Sequence, residues 1–148
     1  YEVPAYSFTQ LLDTHGTTGA GIVGELPQPV ALGDFLDQVK RYFATEQLRY
    51  SRAEATRLIQ RVAICGGAGA FLWPEARRAG VDILITGEAK YNDYFDCESA
   101  PILATVGHYE SERISAQLFT ELLSQKLATF AVYQSEIDSN PINSVIEL

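Results

Sequence analysis

The pattern of apolar and polar positions along the chain predicts strands and helices in alternation. Continuous apolar runs typical of buried strands occur at Arg61–Cys65, Asp82–Thr86 and Ile102–Val106. Apolar residues instead recur every three or four positions across Leu32–Ala44 and again after Gly107, which is the spacing of an amphipathic helix. This order of elements predicts an α/β domain whose mixed, mainly parallel sheet is flanked by helices.

Weaker patterns predict four further short strands. One of them is expected to end at Pro27 and Pro29, because proline has no N–H group with which to pair inside a sheet. The polar stretch 51–60 is ambiguous between a helix and a strand. In chain order the four strands are Tyr1–Thr9, Gly19–Leu26, Leu48–Ser51 and Phe130–Gln134.

A glycine-rich turn, CGGAG, follows the strand that ends at Cys65. Its glycines, Gly66, Gly67 and Gly69, could present bare backbone N–H groups to an anion such as a phosphate. The alternative, which we favour, is a tight strand-to-helix turn that requires a positive φ. The dinucleotide-binding fingerprint is not met, since Leu72 occupies its third glycine position, and no P-loop lysine follows.

A short helix is predicted after this turn, beginning near Ala70. Pro74 then falls in the first helical turn, where the N–H groups have no partner within the helix and proline is tolerated. Gly80 supplies the left-handed residue that is expected to close the helix.

The longest amphipathic stretch opens with His108 and Glu112, which are four residues apart and share one face of a helix. A helical wheel places both within the apolar stripe, so we expect them on the core side, where a carboxylate must be paired, protonated or bound to a metal. Two interpretations stay open, a metal or catalytic site and a buried ion pair. The stripe consists of Ile114, Leu118, Phe119, Leu122, Leu123 and Leu127.

Acidic residues also follow the strand that ends at Thr86. Glu88 and Asp93 lie in a loop or a first helical turn, where carboxylates are favourable without any function. In parallel α/β sheets, however, ligands bind beyond the carboxyl ends of the strands, and Glu88 and His108 both occupy such positions. Glu88 is therefore a second candidate site residue.

Composition narrows the classes of function. The chain has 148 residues, enough for one domain with a real core, and its formal net charge of −8 argues against binding to nucleic acid. No apolar run is long enough to span a membrane and no signal-peptide pattern occurs, so we expect a cytoplasmic protein without a membrane partner. Cys65 and Cys97 form no disulfide framework and are predicted to be free thiols. Because the chain lacks methionine and begins at Tyr1, we expect a piece of a longer protein.

Four segments together resemble a single family. They are GIVGELPQP (21–29), RVAICGGAGAFLWPEARRAGVDILITGEAKYNDYFD (61–96), ILATVGHYESE (102–112) and the late SNP (139–141). In their order and spacing they resemble the carboxyl-terminal half of the Nif-three-like dinuclear metal centre hexameric proteins, often labelled GTP cyclohydrolase 1 type 2 homologues. The resemblance implies that residues 16–148 form one half of a two-lobed α/β fold. Residues 1–15 would be the last strand of an inserted domain plus a connector. Independently of the resemblance, the polar, Gly- and Thr-rich composition around His15 predicts a solvated loop.

The resemblance also implies a metal centre and an assembly. Members form toroidal hexamers that hold two divalent metal ions, expected to be Zn, Fe or Mn. Their GH-x-x-x-E block supplies one histidine and one glutamate, which here are His108 and Glu112. The other ligands, a histidine pair and an aspartate, belong to the amino-terminal half, the expected partner, so this chain alone is not expected to hold metal tightly. One departure is Asn92, which stands where members often carry a histidine and cannot act as a general base.

The implied function is a metal-dependent hydrolase that acts on a nucleotide-like substrate. Glu88 would take part in proton transfer or orient a ligand, and Gly66, Gly67 and Gly69 would hold a substrate phosphate. The alternative is a non-enzymatic scaffold or metal-delivery protein, in which the metal ions cross-link subunits or pass to partners. The residues leave both functions open.

Overall fold

The computed structural model of the chain describes residues 9–10, 19–97 and 100–143. The strands are β1 (Thr9–Gln10), β2 (Ile22–Ala31), β3 (Arg49–Tyr50), β4 (Leu58–Cys65), β5 (Ile83–Thr86) and β6 (Ile102–Thr105). The helices are α1 (Leu32–Phe43), α2 (Trp73–Arg78), α3 (Asp93–Asp96), α4 (His108–Glu112) and α5 (Ile114–Lys126), and a 3₁₀ turn over Gly69–Leu72 leads into α2. Of the strand predicted over Tyr1–Thr9, only Thr9 is described, in β1, and the predicted loop at His15 lies outside the described residues.

The strands form one mixed sheet in the order β1-β2-β4-β5-β6-β3. At its centre β4, β5 and β6 pair in parallel, while β2 pairs antiparallel with β4 and β3 pairs antiparallel with β6. Parallel neighbours need a crossover connection, and here α2 joins β4 to β5 and α3 joins β5 to β6. The predicted α/β fold with a mixed sheet is confirmed, but the described sheet is partly rather than mainly parallel, because only the pairings β4–β5 and β5–β6 are parallel.

Both faces of β5 and β6 are buried, which explains why their sequences are continuously apolar, whereas in β4 burial on both faces is limited to Val62 and Ala63. Alternate residues enter opposite clusters, so that Ile83 and Ile85 of β5 join one cluster and Leu84 joins the other. The first cluster is completed by α1 and the second by the turn and helix that follow β4. The residues that complete them are Leu32, Phe35, Leu36 and Val39 in the first, and Leu72 and Ala76 in the second.

The prediction that Pro27 and Pro29 end a strand is wrong, because β2 continues through both prolines to Ala31. Pairing with β4 is regular as far as Glu25 and resumes at Val30 after a shift in register. The prolines lie in this irregular segment and are exposed, so their missing N–H groups leave no gap in a regular ladder.

The predicted strand over Phe130–Gln134 is also wrong, since the described residues after α5 form no regular element. Phe130 and Tyr133 are exposed in this segment. A short apolar run with β-branched and aromatic residues forms a strand only beside a partner strand and a core. No strand of the described sheet pairs with residues 127–143.

The long amphipathic stretch forms two helices, α4 and α5, which are separated by a turn at Arg113. Its apolar stripe was expected to face the core, but α5 has no buried residue. This expectation is wrong for the described residues, because α1, α2 and the turn before α2 already cover the two faces of the central strands. None of the described helices, α5 included, has the length and apolar character needed to cross a membrane.

The helix predicted over Leu32–Ala44 is confirmed as α1, which ends one residue earlier, at Phe43. Two local predictions at helix ends are also confirmed. Pro74 lies in the first turn of α2. Gly80 follows that helix with a φ of +66°. Each signal acts through its own backbone dihedral angles, so it is readable without the tertiary fold.

Candidate metal centre

The loops that follow the three parallel strands are tied together by backbone hydrogen bonds. The carbonyl oxygen of Gly67, after β4, accepts hydrogen bonds from the N–H groups of Gly87 at 2.9 Å and Glu88 at 3.1 Å. The carbonyl oxygen of Gly87 in turn accepts one from the N–H group of Gly107, after β6, at 2.9 Å. These bonds bring Glu88 and His108 together, although they are twenty positions apart in the sequence.

The imidazole of His108 lies between two carboxylates. Its Nδ1 atom is 3.3 Å from Oε1 of Glu88, and its Nε2 atom is 3.4 Å from Oε2 of Glu112. The side chains of these three residues are 44%, 58% and 55% exposed, respectively. All three predicted polar site residues are therefore in one place, with the two carboxylates on opposite nitrogens of the ring.

The expectation that His108 and Glu112 lie on the core side of the helix is wrong for the described chain. Both side chains are about half exposed. A helical wheel identifies which residues share a face, and here that shared face turns away from the sheet's core rather than toward it. The pair is therefore an accessible site and not a buried ion pair within this fold.

The glycine-rich turn confirms the tight-turn interpretation, since Gly67 has a φ of +61°. Its N–H group donates to Oγ of Ser111 at 2.9 Å, and the N–H group of Gly69 donates to Oγ1 of Thr86 at 2.8 Å. Two of the three predicted anion-binding glycines thus have internal acceptors. A phosphate-binding role for Gly66, Gly67 and Gly69 stays a prediction, and it requires these hydrogen bonds to be exchanged for bonds to the ligand.

The turn also makes room for Glu112. A Cβ atom built on Gly67 would collide with Oε1 of Glu112 and would lie 3.4 Å from Nε2 of His108. Gly66 is close to the same helix, since a Cβ there would lie 3.7 Å from Cγ of Glu112. The absence of side chains at these positions leaves space in which an imidazole nitrogen and a carboxylate oxygen lie side by side. These two donor types suit zinc, iron or manganese, so the residues present fit a divalent metal ion.

A cavity of about 1060 Å³ adjoins these side chains. It is lined by Glu88, His108 and Glu112 on one side and by the segment 134–142 on the other. Asp138 of that segment accepts hydrogen bonds from the Asn140 N–H group and the Tyr109 hydroxyl, and these bonds lower the pKa of Asp138. The hydrogen bond to Asp138 is also the main reason why the pKa of Tyr109 is raised. The carboxyl-terminal segment is thereby held beside the candidate centre.

Sequence reasoning missed two hydroxyl groups that position the site. Ser111 Oγ accepts from Gly67 and donates to the His108 carbonyl oxygen at 2.8 Å, so it fastens α4 to the glycine turn. Thr86 Oγ1 donates to the Gly67 carbonyl oxygen at 3.0 Å from the end of β5. Ser111 had a readable signal, because it lies three residues after His108 and so near the same helix face.

A complete metal site is not present in the described part of the chain. Within residues 9–10, 19–97 and 100–143, no three His, Cys, Asp or Glu side chains converge where they could hold one ion. The reason is visible at His108, whose two neighbouring carboxylates lie beside different ring nitrogens. Burial raises the pKa of the Cys65 thiol, and the nearby negative charge of Glu112 raises it further.

Two kinds of sequence comparison, with family profiles and with curated proteins, relate the chain to one family. Residues 5–141 match the profile of the family described as Duf34/NIF3 (NGG1p interacting factor 3). A Staphylococcus epidermidis protein named GTP cyclohydrolase 1 type 2 homolog is 31% identical over 146 residues, which cover 95% of this chain and 39% of the relative. A Streptococcus pneumoniae protein of the same name is 33% identical over 145 residues, covering 93% and 54%. The chain spans about half, or less, of the length of these relatives.

Solved structures share the fold. Staphylococcus aureus protein SA1388 has a TM-score of 0.76 at 25% identity, over 84% of this chain and 37% of that protein. A Bacillus cereus protein related to NIF3 has a TM-score of 0.77 at 23% identity, over 86% of this chain and 36% of that protein. The arrangement of strands and helices described above is therefore that of a part of these longer proteins.

Proposed function

The chain belongs to the Duf34/NIF3 (NGG1p interacting factor 3) family, and on that premise we propose that it supplies half of a dinuclear metal centre in a hydrolase that acts on a nucleotide-like substrate. His108 and Glu112 are the ligands in this proposal. The observation that carries it is the 3.4 Å separation of Nε2 of His108 and Oε2 of Glu112, beside a cavity of about 1060 Å³. The nucleotide-like substrate follows from the name of the relatives, GTP cyclohydrolase 1 type 2 homolog.

The side chains have distinct tasks in this proposal. Nε2 of His108 and the carboxylate of Glu112 would be the two groups of this chain that hold the metal ion. Glu88, at 3.3 Å from Nδ1, holds the opposite edge of the imidazole, so that Nε2 remains available as the donor. A divalent metal bound there would supply the Lewis acidity that makes water a nucleophile near neutral pH.

Two ligands leave the coordination shell incomplete, since tight sites use three or four protein ligands. We propose that the missing ligands come from the amino-terminal half of a longer protein of this family. The relatives provide room for such a half, because the chain covers only 39% and 54% of their lengths. Half-exposed His108 and Glu112 are accessible to ligands from outside this fold.

The proposal is tested on the full-length protein by elemental analysis and a screen for nucleotide hydrolysis. His108→Ala is expected to lose bound metal and turnover together, and Glu112→Gln is expected to lower both. The matched control is His15→Ala, which removes the only other histidine of the 148-residue chain. Wild-type protein without divalent metal would contradict the proposal. Metal that depends on His108 without any turnover would favour the scaffold or metal-delivery alternative.

A further inference from the structure

A second cavity, of about 800 Å³, adjoins the segment that follows Glu88 in the chain and is not lined by Glu88 itself. It lies between the segment around β3 and the segment Ala89–Phe95, which includes the start of α3. Arg49 of β3 pairs with Thr105 at the carboxyl end of β6, so the cavity is at the same edge of the sheet as the candidate metal centre. The cavity is lined by Arg49, Tyr50, Ser51, Arg52, Ala89, Tyr91, Tyr94 and Phe95.

The side chains of two arginines place positive charge on the wall of this cavity. Arg49 and Arg52 are exposed, and neither guanidinium forms an ion pair or a hydrogen bond with a described residue. Other arginines of the chain do have such partners, as Arg61 has in Glu25 and Arg78 in Glu75. In a chain with a net charge of −8, two guanidinium groups that have no ion-pair partner among the described residues favour an anion at this cavity.

Aromatic rings form the rest of the wall. Tyr91 and Phe95 pack edge to face, with ring centroids 5.1 Å apart. Tyr91 nevertheless remains 76% exposed to solvent. The position of the Tyr94 ring is fixed by a 2.7 Å hydrogen bond between its hydroxyl group and Oγ1 of Thr105, at the end of β6. Tyr50, from the opposite segment, is also partly exposed. Exposed, partly fixed rings of this kind stack on planar heteroaromatic groups with little dependence on which base is present.

We propose that this cavity binds a free nucleoside monophosphate, with the phosphate on Arg49 and Arg52 and the base against Tyr91 and Phe95. A small ligand fits better than a nucleic-acid strand, because the net charge of the chain opposes the approach of a polyanion. Identifying this ligand with the substrate of the hydrolase rests on the proposed function. The binding itself does not, because none of the lining residues is a proposed metal ligand.

The test is calorimetric titration of the protein with adenosine 5′-monophosphate in the presence of a chelator. Binding is expected, and adenosine or ribose 5-phosphate should each bind at least about tenfold more weakly, because each offers only one of the two recognised groups. Arg49→Gln and Arg52→Gln should each weaken binding about tenfold, and higher salt should weaken it further. Arg52 lies outside every strand and helix, so its substitution leaves the regular elements intact.

Matched controls separate the cavity from a general change in charge or aromatic content. Arg78→Gln, on α2, removes one cation that does not line the cavity, and it should leave the affinity unchanged. Tyr91→Leu should weaken binding about tenfold, whereas Tyr133→Leu, in the exposed carboxyl-terminal segment, should not. His108→Ala should also retain binding, which distinguishes this proposal from the metal centre.

Three outcomes would overturn the proposal. One is the absence of binding by adenosine 5′-monophosphate. Another is binding that survives the double substitution of Arg49 and Arg52 by glutamine. The third is tighter binding, through the same two arginines, of a single-stranded oligonucleotide than of the mononucleotide.

Discussion

The carboxylate of Glu112 occupies the space that a side chain on Gly67 would fill. Gly67 belongs to the turn after β4 and Glu112 to the end of α4, so the contact joins two regions that are far apart in the sequence. The turn is fixed in this position by the positive φ of Gly67 and by the hydrogen bond that the Gly67 N–H group donates to Oγ of Ser111. The glycine is therefore required twice, by its own backbone angle and by its neighbour's side chain.

Gly67→Ala is expected to destabilise the fold by about 1–3 kcal/mol, because it adds left-handed strain and displaces Glu112. The matched control is Gly33→Ala in α1, where a Cβ would meet only Ala55 at an ordinary 3.7 Å. That substitution should stabilise the fold by up to about 1 kcal/mol, since alanine has the higher helix propensity. Chemical denaturation measures both. Equal effects of the two substitutions would show that Gly67 has no special requirement.

Glu112→Gln is expected to change the stability of the metal-free chain by no more than about 0.5 kcal/mol, because the side chain is 55% exposed and its burial penalty is small. Had the carboxylate been buried on the core side, the same substitution would have been stabilising. In the metal-loaded full-length protein the substitution should be destabilising, because it removes a proposed ligand. The measurement is the denaturation midpoint of the 148-residue chain and of the full-length protein, each with and without chelator. If Glu112→Gln shifts the midpoints of the two proteins identically, Glu112 is not a metal ligand.

The 148-residue chain alone is expected to bind divalent metal weakly. Its described residues bring one imidazole nitrogen and one carboxylate to a shared position, and most of the coordination shell is then left to water. Calorimetric titration with zinc or manganese should show no tight stoichiometric site, whereas the full-length protein should bind much more tightly. A tight site in the chain alone would mean that its own residues complete the shell.

The two cysteines are free, as predicted, and they differ in accessibility. Cys65 is partly exposed, whereas Cys97 is buried and its thiol donates to the Asp93 carbonyl oxygen. Mass spectrometry of the non-reduced protein should show no disulfide. Iodoacetamide should label Cys65 faster than Cys97, because a buried thiol that ionises with difficulty is a poor nucleophile. Faster labelling of Cys97 would contradict this assignment.

The raised pKa of the Cys97 thiol predicts that the fold loses stability in alkaline solution. Burial, and then the carboxylates of Asp96 and Asp93, raise the pKa of its thiol from 9.0 to about 12. The unfolded state therefore loses this proton first, so the stability associated with the neutral thiol is complete below pH 9.0 and declines as the pH rises toward about 12. Cys97→Ala removes this dependence. The difference in unfolding free energy between wild type and variant should shrink across that interval, and a constant difference would contradict the prediction.

Much of the fold was predictable because its signals are local. The apolar runs of β5 and β6 reflect burial on both faces, and Gly80 reflects a single backbone angle. The prediction that Pro27 and Pro29 end a strand is wrong because β2 accommodates both prolines where its register shifts against the neighbouring strand β4. The strand predicted over Phe130–Gln134 is wrong for a related reason, since a short apolar run does not by itself supply a partner strand.

By itself, the sequence determined that His108 and Glu112 share one face of a helix, because their spacing of four residues equals about one helical turn. It also determined that glycines follow β4 where a positive φ is required. Only the tertiary structure decided that Glu88 joins His108, since that approach depends on the parallel pairing of β5 with β6. It likewise decided that the His108–Glu112 face is accessible rather than buried. Helical periodicity defines a face within one element, but what covers that face depends on residues that are distant in the chain.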